Sequence, residues 1–410
     1  MLYSYENRLM VACLAAKRND EILQRIHKIF DQKLDWSYIL DIAQKTKIAP
    51  LLYTNLLELG YEDRLPAGIS RKMRQTYHSN GLRNLLYYRE LNNILISFKT
   101  VGIEAIVLKG AVLAEIIWKN VSLRHMWDID LLVREKDLSG SEKKLFELGY
   151  VSCEHLYPKD SFKYNQHIPP FCNPRNGMIA ELHTDLTYPK NRFLRMQETW
   201  ERAWPIKLSG VNTHMLCPDD LVVHLSYIDH IVGKLRNLTD IAKIVKSYKS
   251  CINWEWIIKQ AYERDFVGYI YYPLYFAKEI LNADIREEIL ENLHARSRLT
   301  GIENNLLKQI IRRNILITDG ASAIAPEQNI QRLLCQALLL NARIISKIIW
   351  LLKALFFVIP ARSAWKSVPR PLVFLYPIYR ISAIIWKLIF RTVRILSRLI
   401  WNRMRVQFSN

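Results

Sequence analysis

The chain reads as an α+β protein: a small mixed sheet at its centre, helical regions on both sides, and a basic amphipathic helical tail at the C-terminus. Three observations predict this. Apolar residues recur at helical spacing up to residue 98 and again after residue 216. Between residues 103 and 149 strand and helix patterns alternate, which marks an α/β unit. After Glu327 the chain contains no Asp or Glu, and the charged residues from Arg332 to Arg405 are all Lys or Arg. Four segments are therefore expected: a helical region at 1–98, an α/β core at 99–215, a helical domain at 216–330 and the tail at 331–410.

The N-terminal spacing is carried by Ile22, Ile26, Ile29 and Phe30, then by Leu85, Leu86, Leu91, Ile94 and Leu95. Pro50, Pro66 and Gly68 punctuate it into several helices. A short buried strand is expected over Ile103–Leu108, a helix over Ala111–Trp118, a strand over Trp127–Val133, and a helix over Ser141–Leu148 closed by Gly149. "FCNPRNGMIAELHT" reads as a hairpin, with Asn173–Gly177 as the turn and Met178–Thr184 as the returning strand.

Helical spacing resumes at Pro218-Asp-Asp-Leu221, where Asp219 or Asp220 is expected to cap the helix. Farther on, "INWEWIIKQAYERDFVGYIYY" echoes "LDWSYILDIAQKTKIAPLLYT", matching Trp254 to Trp36, Ile257 to Ile39, Ala261 to Ala43 and Tyr271 to Tyr53. Two similar helix pairs flanking the core would produce that echo. In the tail, Lys347, Lys353, Arg380 and Lys387 interrupt the apolar runs, so neither offers the roughly 20 apolar residues a spanning helix needs. Lys387, Arg391, Arg394 and Arg398 instead recur at helical spacing. From residue 341 onward this suits an anionic membrane surface, a basic face packed on the protein, or, less well, nucleic acid.

A chain of 410 residues, half of them hydrophobic, can bury a sizeable core. Its formal charge of +19 points to anionic partners. The six cysteines form no C-x-x-C pair, so neither a zinc site nor a disulfide framework is indicated. Met1 to Arg8 lacks the pattern of a secretory signal. A cytoplasmic protein, peripheral at the inner face of the membrane if the tail binds lipid, is the expectation.

The chemistry is concentrated in Leu108–Glu115, "LKGAVLAE", and Arg124–Val133, "RHMWDIDLLV". Asp128 and Asp130 stand two apart on a strand and share a face, while Ile129, Leu131 and Val133 point to an apolar layer. Two carboxylates held that close repel unless a divalent cation lies between them, and hard oxygen ligands suit Mg²⁺. In "AELHTDL", Glu181, His183 and Asp185 share a strand face. Either carboxylate can complete the set. Glu181 is preferred because Asp185 sits at the strand exit, where Asp is an ordinary cap.

These motifs, in this order, resemble the bacterial nucleotidyltransferase family related to DNA polymerase β, over about residues 30–280. The subfamily resembled implies a chemistry more firmly than a substrate. It implies transfer of a nucleoside monophosphate from an NTP, with two Mg²⁺ ions on Asp128, Asp130 and Glu181. Glu181 then acts as general base or as a ligand activating the acceptor. Lys109 and Gly110 lie where related enzymes place a Gly-Ser turn holding the nucleotide phosphates. Lys-Gly-Ala replaces Gly-Gly-Ser here, which reads as a phosphate-binding cation in place of a hydroxyl. His183 would orient a phosphate or the acceptor, or be structural.

Arg124, four residues before Asp128, either reaches the triphosphate from the loop feeding the second strand or is a surface loop arginine. Arg236 and Asp240, four apart on one helix, either pair with each other or face the cleft and contact nucleotide or acceptor. A metal-dependent glycosyltransferase would place a nucleotide-binding region before its D-x-D. A dehalogenase-type phosphatase would follow it with a hydroxyl residue, where this chain has Leu131 and Leu132. The acceptor stays open among a small molecule, a glycan intermediate, a peptide and a protein. The alternative function is a non-catalytic nucleotide-binding or membrane-associated partner protein that keeps the fold.

Overall fold

A computed structural model describes residues 4–156, 167–187, 193–228, 234–296 and 301–315. These belong to one compact unit, Met1–Ile324. A second unit, Ala325–Asn410, lies outside the described residues, and with it the expected basic tail. Among the described residues no helix is long and apolar enough to cross a membrane.

The unit opens with α1 (Tyr5–Cys13), α2 (Asp20–Phe30), α3 (Trp36–Lys45) and α4 (Ala49–Glu58). The side chains of Ser4, Asn19 and Asp35 cap the first three by accepting from backbone N–H groups of the first turn. Pro66 precedes α5 (Ala67–Lys99), a 33-residue helix. Its buried face mixes Met73, Leu91, Ile94, Leu95 and Phe98 with Asn80, Asn84, Tyr87 and Tyr88. At Gly81 an added Cβ would stand 2.2 Å from Ser122 Oγ, so this mid-helix glycine admits the loop before the Asp motif.

The core follows as β1 (Ile106–Val107), α6 (Lys109–Val112), β2 (Ile129–Leu132), α7 (Leu138–Glu147), β3 (Val151–Ser152), β4 (Phe171–Cys172), β5 (Ile179–His183), α8 (Met196–Arg202), β6 (Trp204–Leu208) and β7 (Val211–Met215). The strands form one mixed sheet in the order β3-β4-β5-β2-β1-β7-β6. β2 pairs antiparallel with β1 and parallel with β5, so two central strands run side by side in one direction. The expected hairpin at 171–184 is present, its turn closed by Gly177 at φ 70° and by the side chains of Asn173 and Asn176.

Several expected bounds shift. The helix placed at Ala111–Trp118 starts at Lys109 and continues from Leu113 to Ile117 as a π-helical turn. The strands at 103–108 and 127–133 shorten to Ile106–Val107 and Ile129–Leu132, and Asp128 precedes its strand.

The rest of the unit is α9 (Pro218–Ile228), α10 (Leu235–Ser247), α11 (Trp254–Glu263), α12 (Val267–Leu281), α13 (Glu287–Ala295) and α14 (Gly301–Asn314). Asp219 and Asp220 do not cap α9 from outside. Pro218 is its first residue, so both lie within the first turn. There Asp219 accepts from Asn253 N–H, and buried Asp220 pairs with Arg202.

The internal echo corresponds to a shared architecture. Trp36 and Trp254 each open a helix, behind the caps Asp35 and Asn253. Ile39 and Ile257, Ala43 and Ala261, and Tyr53 and Tyr271 are buried in matching pairs. Lys47 and Asp265 occupy the same corner with φ 60° and 61°, in the left-handed region.

Candidate active site

Parallel pairing of β2 with β5 sets Asp130 directly beside Glu181 and Leu132 beside His183. Ile129, Leu131 and Val133 are buried, which anchors the strand in the sheet. Asp130 is almost wholly buried, Glu181 is partly exposed, and Asp128 is half-buried one residue before the strand.

One oxygen of Asp130 is doubly engaged. Lys109 Nζ donates to Oδ1 at 2.7 Å, and His183 Nε2 stands 2.9 Å from the same atom. His183 Nε2 also lies 3.5 Å from Glu181 Oε2. With carboxylates on both sides, that nitrogen carries its hydrogen and serves as a donor. Asp130 Oδ2 is buried and has no hydrogen-bond partner among the described residues. An orphan carboxylate oxygen in that setting suits a cation. Ligand atoms of Asp130, Glu181 and His183 lie within 4.8 Å of one another. The hydrogen on Nε2 makes the imidazole an orienting donor in this arrangement, and the free oxygens belong to the carboxylates.

The charges are interdependent. Burial and the nearby Asp130 push Asp128 up to about 7. Burial acts the same way on Asp130, but Lys109 and His183 outweigh it and hold that carboxyl well below the usual range. For Lys109 burial opposes the charge, and Asp130, Glu181 and Asp128 together still raise its pKa. His183 is likewise raised, since its hydrogen bonds to Asp130 and Glu181 prevail over burial and Lys109.

Other expected residues find different partners. Asp185 is buried, and its Oδ1 accepts from both N–H and Oγ1 of Thr187 at 2.8 and 3.0 Å, a local turn. Arg124 Nε donates to Asp240 Oδ2 at 2.7 Å, and Trp118 Nε1 donates to Asp240 Oδ1 at 2.7 Å. Both Asp240 oxygens are thereby occupied. The expected Arg236–Asp240 pair gives way to a contact with a residue 116 positions away. Lys109, read from sequence as a phosphate cation, stands at φ 47° with its ammonium on Asp130. An added Cβ on Gly110 would stand 3.1 Å from Met126 Cγ, a tight approach between this turn and the loop before β2.

A family model described as uncharacterised nucleotidyltransferase matches residues 32–282. The chain belongs to this nucleotidyltransferase family. No curated protein matches it. Among solved structures, the antibiotic-resistance factor ANT(2'')-Ia aligns with 43% of this chain and 90% of its own, at 11% identity and a TM-score of 0.32.

The nucleotidyltransferase has further polar residues around its carboxylates that sequence reasoning passed over. From α5, Asn84 Nδ2 donates to the carbonyls of Val121 and Arg124, Asn80 Nδ2 to that of Ser122, and Tyr87 Oη to that of Trp127. These bonds hold the loop that delivers Asp128. The available signal was a row of hydrogen-bonding residues, 80, 84 and 87, on a helix face that must be buried. The family implies an NTP donor.

Proposed function

We propose that this nucleotidyltransferase moves a nucleoside monophosphate from an NTP to an acceptor, with Asp128, Asp130 and Glu181 holding Mg²⁺. The observation that carries the reading is the Asp130–Glu181 pair on adjacent parallel strands, with Asp130 Oδ2 buried and unbonded. Hard carboxylate oxygens in this number fit a pair of magnesium ions. When bound, such ions neutralise the triphosphate and make the acceptor oxygen a better nucleophile.

The chain's own residues do the remainder. Lys109 and His183 grip Asp130 Oδ1 and leave Oδ2 free for binding. Glu181, more exposed than Asp130, takes the acceptor proton as the acceptor oxygen bonds to the α-phosphorus. The bond from that phosphorus to the bridging oxygen breaks, and pyrophosphate leaves with the electron pair. Lys109 supplies positive charge beside the reacting phosphates, and we assign it that role together with its hold on Asp130.

The test is metal-dependent stabilisation by each of the four NTPs, followed by thermal denaturation of the intact chain and of D130N and E181Q. Stabilisation by one NTP that requires Mg²⁺ and disappears in both variants supports the assignment. Binding that ignores metal, with no pyrophosphate released in the presence of any acceptor pool, favours a non-catalytic nucleotide-binding protein instead.

A further inference from the structure

α9 is buried from Asp220 to Tyr227, chiefly by apolar side chains such as Leu221, Val222, Val223 and Leu225. His224 departs from that pattern. It is 1% exposed, and neither Nδ1 nor Nε2 has a hydrogen-bond partner among the described residues. The Leu186 carbonyl stands beside the ring, short of hydrogen-bond geometry to either nitrogen. Both nitrogens of an imidazole can bond, and buried polar atoms are almost always bonded.

The surroundings of His224 are those of the carboxylate site. Burial drives its pKa well below the ordinary value, and the side-chain charges that act on it belong to Lys109, His183 and Asp130. Lys109 and His183 oppose a further proton more than Asp130 invites one, so the ring is neutral. Leu186 lies three residues beyond His183, on the buried chain leaving β5. α9 thus brings a neutral polar ring against the layer that holds Asp130.

His183 has a matching orphan. Its Nε2 serves Asp130 Oδ1 at 2.9 Å and lies 3.5 Å from Glu181 Oε2, while Nδ1, on the other edge of the ring, is buried without a partner among the described residues. Neither His224 nitrogen bonds to it directly. One shared water satisfies both rings: with one N–H and one lone pair, neutral His224 can take either role toward it. A ring held at Nε2 alone can pivot about that bond, and a second anchor at Nδ1 fixes its plane.

We propose that His224 is a positioning residue for the carboxylate site. It anchors His183 Nδ1 through a buried water, so that His183 keeps Asp130 Oδ1 engaged and Oδ2 turned to the cation. The metal end of this chain rests on the transferase reading above; the link from His224 to His183 does not.

The test uses the full chain labelled with ¹⁵N-histidine, together with H224F, which removes both nitrogens, and H224Q, whose amide keeps a donor and an acceptor. Long-range proton–nitrogen NMR spectra report the His183 ring, its signals identified by their loss in H183Q. Electron paramagnetic resonance reads the binding of Mn²⁺, a hard divalent probe. H224F should shift the His183 nitrogen signals and weaken Mn²⁺ binding by about tenfold, and H224Q should restore both. A merely structural role would lower thermal stability and leave the His183 signals in place. Unchanged His183 signals in folded H224F, equal effects of H224F and H224Q, or parental Mn²⁺ affinity in H224F overturns the proposal. If H224F does not fold, the parent decides: a cross-peak between a long-lived water and the His183 ring supports the link, and its absence overturns it. If D130N binds Mn²⁺ as the parent does, the transferase reading fails and the His183 signals alone judge the link.

Discussion

Arg124 and Asp240 form a buried ion pair at 2.7 Å across 116 residues of sequence, joining the loop before the Asp motif to α10. Removing one partner leaves the other charge stranded, which typically costs about 3–5 kcal/mol. D240N should therefore lower the urea midpoint substantially. R124M, in which neither the guanidinium nor its donors remain, also strands Asp240 and should be at least as damaging. If either variant keeps parental stability but loses Mg·NTP binding, Arg124 acts on the nucleotide instead.

Asp130 Oδ1 accepts from two donors, and its Oδ2 has no hydrogen-bond partner among the described residues. D130N should abolish the Mg²⁺-dependent stabilisation by NTP, which for ligand at a hundred times its Kd amounts to about 2.7 kcal/mol. Differential scanning fluorimetry with and without EDTA reads this directly. An undiminished metal-dependent shift in D130N would remove that carboxylate from the site.

Asn84 holds two loop carbonyls from within a fully buried position. N84A should cost about 2–4 kcal/mol, because the two carbonyls lose a shared donor in a dry setting. It should also weaken metal-dependent NTP binding by loosening the approach to Asp128. Equal loss in stability with unchanged NTP affinity would separate the loop anchor from the site.

His125 makes stability depend on pH. Burial and the Arg83 and Lys47 charges push its folded-state pKa down to about 3, against about 6.5 unfolded, so the unfolded chain binds a proton that the folded chain refuses. Its contribution is complete above about pH 6.5 and declines as pH falls toward 3. Between pH 7.5 and 5 this single group accounts for up to about 2 kcal/mol. H125N, with no titration in that interval, should show a correspondingly flatter profile of urea midpoint against pH. A profile of parental slope would show that the imidazole is not held neutral.

Local signals explain what the sequence disclosed. The Asn173–Gly177 turn, the D-x-D before a buried strand and the Trp-led helix pairs all depend on residues a few positions apart. The Trp204–Met215 hairpin was equally local, with alternating exposure around Ser209-Gly210 at positive φ, and went unread because its strands carry Pro205, Lys207 and Asn212 in place of an apolar run. Arg236–Asp240 was a fair helical pairing on spacing alone. Packing placed Arg124 and Trp118 on that carboxylate, and no local pattern encodes such a contact. The asparagines of α5 escaped for a related reason: their partners are carbonyls, which every residue has.

The parallel pairing of β2 with β5 means that Asp130 and Glu181 arrive on separate stretches of chain, with α7, β3 and β4 between them. Such a contact closes a long loop and forms slowly relative to local turns. A nascent chain emerging from the ribosome holds no complete carboxylate set until β5 is free to dock. Of fragments divided between Val133 and Met178, one would carry Asp128 and Asp130 and the other Glu181, so metal affinity recovered on mixing them would report docking of the two parts of the sheet.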